Sequence, residues 1–220
     1  GTSSNLVAGK GNNTISVNGA SSTVTTGNGN NTINIGGNYV TVKTGSGTDT
    51  IRVTGTNANI NSGDGNDNIT VSGANANINS GDGSDNITVS GANATVKANN
   101  GDNKINSSSE NANITVGNGA NSVFVGGTEA TLTTGTGNNT ISIGGTSATV
   151  TTGNGNNTID VNGNYVTVKT GSGTDTIRVT GTNANVNSGD GNDNITVNGA
   201  NASINSGSGN NYITTTTSGT

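Results

Sequence analysis

Cysteine, proline, methionine, tryptophan and histidine are all missing from this chain, and three Tyr and one Phe are its only aromatic residues. Without Cys there is no disulfide framework and no thiol chemistry, a composition that fits an extracellular or cell-surface protein. Without His or Cys, and with no convergent acid–base pair, the sequence offers no catalytic mechanism, so a non-enzymatic role is expected. Charge is scarce too: seven Lys and Arg against twelve Asp and Glu give a net charge of −5. The few cations form no basic stripe, which argues against nucleic acid as a partner. No apolar run reaches membrane-spanning length and nothing reads as a signal peptide, so membrane insertion is not expected. Hydrophobic residues make up only 26% of the chain. Chains this polar are often disordered, but such chains are rich in Pro and charge, and this one is not.

What the chain has instead is repetition. Glycines anchor a "GxG" at Gly9, Gly27, Gly45, Gly63 and Gly81, and again from Gly117 to Gly207, always eighteen residues apart. Asn99 alone breaks the series, and Gly101 keeps its register. Six residues after each anchor stands Ile or Val (Ile15, Ile33, Ile51 and onward to Ile213), and two further on a second apolar column runs from Val17 to Val197. The other half of the repeat carries a third column from Leu6 and Val24 to Ile204, preceded by small residues such as Ala58, Ala76 and Ala94. Each repeat thus holds two short segments of period two, closed by Gly and Asn, which read as two strands and two tight turns. Neither strand can bury an apolar face alone, whereas stacked repeats share one thin core.

The expected fold is therefore all-β: a single flattened parallel β-solenoid over residues 1–220. With eleven or twelve coils at about 4.8 Å each, it would be a rod of roughly 55 Å. One coil, "NNGDNKINSSSENANITV" at 99–116, departs from the pattern at Asn99, Ser107 and Ser109, and a local irregularity is expected there. A longer duplication spans it, because residues 26–59 return almost unaltered at 152–185, an offset of 126 residues or seven coils.

Most of the acids stand in the "GxGxx" turns: Asp49, Asp64, Asp67, Asp82, Asp85 and Asp102, then Asp175, Asp190 and Asp193. Stacking brings equivalent carboxylates to about 5 Å, where they repel unless a cation or a hydrogen-bond network intervenes. The unit "SGDGNDNIT" resembles the calcium-binding nonapeptide of repeat-in-toxin (RTX) proteins, G-G-x-G-x-D-x-U-x, with Gly63, Gly65, Asp67 and Ile69 on the motif. That resemblance implies calcium held between coils along one edge, with Asp49, Asp64, Asp67, Asp82, Asp85, Asp175, Asp190 and Asp193 as candidate ligands. Two departures count against a requirement in every coil. The first motif Gly is Ser or Thr here, and Asn13, Asn31, Asn139 and Asn157 stand where the motif has Asp.

Two functions compete. A structural subunit of a filament or adhesin stalk would stack head to tail on itself. Leu6, Tyr212 and Ile213 are its candidate assembly residues, because segments 1–8 and 207–220 hold core-column residues but no charge to guard a sheet edge. The alternative is ice binding, since the coils more loosely resemble bacterial ice-binding adhesin repeats and pair Thr23/Thr25, Thr131/Thr133 and Thr149/Thr151. Lys43, Lys97 and Lys169 interrupt that array. Asp160 and Arg178, in adjacent coils, are expected to form a cross-strand ion pair.

Overall fold

A computed structural model of the chain describes residues 3–216. Its strands alternate between two parallel sheets of twelve strands each. One sheet runs from Asn5–Val7 to Ser203–Asn205 and the other from Thr14–Val17 to Tyr212–Thr215. Each strand pairs with its equivalents one coil before and one coil after, as in Ile33 with Ile15 and Ile51. This is the β-solenoid of 18-residue coils that the periodicity implies.

The three apolar columns meet between the sheets. Ile33, Ile60, Ile69, Ile78, Ile87, Leu132 and their equivalents in the inner coils are buried. Fully burying each such side chain contributes about 1.5–3 kcal/mol. The Ala column, from Ala58 to Ala184, is buried beside them. The turns stack as regularly as the strands: Tyr39 N–H donates to Thr56 O, and Tyr165 N–H to Thr182 O, at 2.8 and 2.9 Å.

Two turn columns demand their residues. The second Gly of each "GxG" has φ between 116° and 148°, in the region that L side chains rarely enter. At Gly55, Gly73 and Gly181 the limit is space instead, since a Cβ would run into the carbonyl of the glycine one coil before. The opposite turn has a non-glycine residue near φ 57° in every coil, and six of the eleven are Asn: Asn57, Asn75, Asn93, Asn111, Asn183 and Asn201. Asn tolerates this left-handed conformation. Tyr39 and Tyr165 do not share that tolerance, yet both adopt φ 57° with their rings exposed. Tyr165→Asn is therefore expected to stabilise the protein by about 0.5–1 kcal/mol through relief of backbone strain, read as a higher melting temperature. A lower one would mean that the ring contributes packing beyond its exposed position.

The coil at 99–116 departs less than its sequence suggests. Strands Lys104–Ser107 and Asn113–Val116 pair on both sides without a slip. Ser107 and Ser109 are fully buried, and Ser109 Oγ donates to Gly91 O at 2.6 Å. Ser107 Oγ accepts the Ser109 N–H at 3.4 Å, so both hydroxyls are accommodated and the coil keeps its shape. The register shift lies just before it, between Lys97 and Ala98 against Asn79 and Gly81.

Candidate functional site: a buried column of Asn and Asp

The fifth residue of every "GxGxx" turn points inward, forming a column from Asn13 to Asn211 with one member per coil. Its hydrogen bonds run along the rod. Asn31 N–H donates to Asp49 Oδ1 at 2.7 Å, Asp49 N–H to Asp67 Oδ1 at 2.8 Å, and Asp67 N–H to Asp85 Oδ1 at 2.9 Å. In the second Asp-bearing stretch, Asn157 N–H and Asp175 N–H donate likewise to Asp175 and Asp193. The side chain thus satisfies a turn amide that the strand ladder leaves over.

The two residue types part company at the other terminal atom. Asn31 Nδ2 donates to Gly29 O and to Asp49 Oδ1, both at 2.8 Å, and Asn121 Nδ2 donates to Gly117 O, Gly119 O and Asn139 Oδ1. In an Asp that station is taken by Oδ2, which cannot donate when ionised. The Oδ2 atoms of Asp49, Asp67, Asp85, Asp175 and Asp193 are all buried without a hydrogen-bond partner. Burial raises the Asp67 pKa from its ordinary 3.8 to about 7, against the lowering effect of the nearby Ser62 hydroxyl, whose proton goes to Ser80 O, and of the Asp49 N–H. Burial raises Asp85 as well. A proton on Oδ2 would restore the donor that Asn carries. A hard cation would serve the same need, and the oxygens of carboxylate, carbonyl and hydroxyl are the donor set that suits calcium. Among the described residues no three acidic side chains converge, so backbone carbonyls would have to complete the shell.

The eight aspartates singled out by sequence fall into two columns that the fold keeps apart. Asp49, Asp67, Asp85, Asp175 and Asp193 are inward and buried, whereas Asp64, Asp82 and Asp190 sit on the exposed rim of the turn. Rim carboxylates also bond along the rod, as Asp82 Oδ1 accepts from Asn100 N–H at 3.0 Å. Asp190 lines a concavity of about 520 Å³, with Asn154, Thr170, Ser172 and Asn187.

A further group escaped the sequence reading: the hydroxyl five residues before each inward Asp. Thr44, Ser62, Ser80, Thr170 and Ser188 precede Asp49, Asp67, Asp85, Asp175 and Asp193, whereas coils with Ala8, Ala98 or Val116 at that place all carry Asn. The association runs one way: Thr26, Thr134, Thr152 and Ser206 stand at the same place in coils that carry Asn, so a hydroxyl accompanies every inward Asp but does not by itself mark one. These hydroxyls are buried; Thr170 Oγ1 donates to Ser188 O at 2.6 Å and Ser62 Oγ to Ser80 O at 3.0 Å. Where the residue is Ser, the next glycine turns to positive φ (Gly63 86°, Gly81 83°, Gly189 75°). The tripeptide "NSG" marks that turn, and no anchor without it does the same.

Compared with protein-family models, curated proteins and solved structures, the chain matches none.

Proposed function

We propose that this protein is a non-catalytic rod of the cell surface or extracellular space, a filament or stalk subunit that lengthens by coil-on-coil addition. The observation that carries this reading is the continuous parallel stacking, in which every coil from Asn5–Val7 to Tyr212–Thr215 pairs with the next along both sheets. Leu6 pairs with Val24 and Ile213 with Ile195, so both stand in core columns, yet they are 40% and 45% exposed. Tyr212 lies beside Ile213 and is exposed as well. One more coil of the same kind would pair each edge and cover those side chains. In a solution of this chain alone, a second copy is the available source. Such a contact is heterologous and repeats without closing, which generates fibres. Residues 1–2 and 217–220, which also belong to the uncharged terminal segments, lie outside the described residues.

The expected outcome is concentration-dependent growth of unbranched rods, seen by light scattering and electron microscopy. Ile213→Lys should leave strand content intact and stop that growth, because a cation on a sheet edge resists pairing. A monomer at high concentration would reject assembly through the ends.

Calcium in the Asp-rich coils, as in RTX-like repeats, belongs to the same reading: it would stiffen the rod wherever Oδ2 lacks a donor. Ice binding is the second reading, favoured by Thr131/Thr133 and Thr149/Thr151 standing in register on adjacent strands. Lys169 follows in the next coil of the same column and interrupts the array. Thermal hysteresis in dilute solution separates an ice binder from a plain rod.

A further inference from the structure

The two copies of the duplicated segment are nearly identical, so their few differences on the surface stand out. One group of differences lies on the outer face of the sheet that begins at Thr14–Val17. In the later copy, Arg178 pairs with Asp160 at 3.2 Å, and Asn162 Oδ1 accepts the Thr180 hydroxyl at 2.6 Å. In the earlier copy the equivalents of Asp160 and Asn162 are Asn34 and Gly36. Arg52, the counterpart of Arg178, stacks between Asn34 and Thr70 and takes part in no ion pair among the described residues. Thr54, the counterpart of Thr180, is left with a longer bond to Ile35 O at 3.3 Å.

The missing side chain at Gly36 opens a notch of about 120 Å³, lined by Ser16, Asn18, Asn34, Gly36, Arg52 and Thr54. Asn18 Oδ1 lies over the glycine, 2.6 Å from where a Cβ would stand. No acid lines the notch. Its walls carry one guanidinium, two hydroxyls and two amides; Asn18 turns its accepting Oδ1 toward the glycine and Thr54 donates to Ile35 O, which leaves Arg52, Ser16 and Asn34 as donors. Arg is the side chain whose planar fork matches an oxyanion with two parallel bonds. The later copy shows an alternative on the same coil path, with the cation neutralised by Asp160 and Asn162 standing where the notch has Gly36.

We propose that the Gly36 notch is an anion-binding site that takes one oxyanion group of sulfate size, recognised by Arg52 with Ser16 and Asn34 beside it. The group is either a free ion or a sulfate ester carried on a glycan. The site does not depend on how the rods assemble.

Titration of the 220-residue chain with sodium sulfate at low ionic strength, followed by NMR amide shifts, tests the proposal. Saturable shifts are expected at Ser16, Gly36 and Arg52, with Kd on the order of millimolar, and none at Arg178. Asn34→Asp recreates the ion pair of the later copy and should weaken binding at least about tenfold. Asn34 is exposed, and an unchanged melting temperature would confirm that the fold is intact. A sulfated disaccharide in a parallel titration identifies the source: tighter binding than sulfate assigns the group to a glycan, equal affinity to the free ion. The proposal is overturned if shifts do not saturate, if Arg178 responds as Arg52 does, or if Asn34→Asp binds sulfate unchanged.

Discussion

Ile87→Asp is expected to open the rod in its middle. Ile87 is fully buried between Ile69 and Ile105 of the neighbouring coils. The substitution removes about 2–3 kcal/mol of apolar burial and places a carboxylate in a core with no cation near it, which costs several kcal/mol more. A solenoid coil contacts only its neighbours, so damage spreads to adjacent coils and fades with distance. Hydrogen exchange should therefore show lost protection from about Asn68 to Ser107, with protection kept around Ile159 and Ile177. The conservative Ile87→Val should cost only about 0.5–1.5 kcal/mol and leave the exchange pattern unchanged. Uniform protection in the Asp variant would contradict the thin shared core.

The fold was readable from sequence because its determinants are local and repeated. A side chain that recurs every eighteen residues can only stack on itself, and the period-two placement of Ile33 and Ile35 says which face is inside. The Asp160–Arg178 pair followed from the same register and is present at 3.2 Å. The site was only half legible. A spacing places Asp64 and Asp67 three residues apart, but it does not say that one faces solvent and the other the core. That split is visible only in the fold, where Asp64 is exposed on the turn and Asp67, two residues past the positive φ at Gly65, is buried. The covering hydroxyls were overlooked because Ser62 and Ser80 look like ordinary turn residues until their burial is known. The notch at Gly36 rests on an absent side chain, and its meaning comes from the ion-paired copy seven coils away.

The inward aspartates lead to the second large effect, and it changes sign with conditions. In chelator, Asp67→Asn should stabilise the protein at neutral pH. It supplies a donor at a buried atom that has no partner, and relieving one such group is worth about 1–3 kcal/mol. The gain should depend on pH in a defined direction. Asp67 has its pKa raised to about 7 in the folded protein against 3.8 for the free group. Between those values the folded state binds more protons than the unfolded state, so stability falls as pH rises. The contribution is fully present below about pH 3.8 and is lost as pH passes through about 7. Each such group contributes at most about 1.4 kcal/mol per pH unit, and Asp85, shifted the same way, adds to the slope. Melting temperature measured from pH 4 to 8 should therefore decline in the wild type and decline less in Asp67→Asn, with the two curves meeting at the acid end. Millimolar calcium is expected to invert the ranking at pH 7. A bound cation favours the ionised carboxylate, so the wild type gains and the amide variant, with Nδ2 in the cation's place, does not. If calcium leaves both curves where chelator put them, the column works by protons alone and the RTX-like reading of these coils fails. If the wild-type curve is flat from pH 4 to 8 in chelator, Oδ2 is satisfied by some other partner.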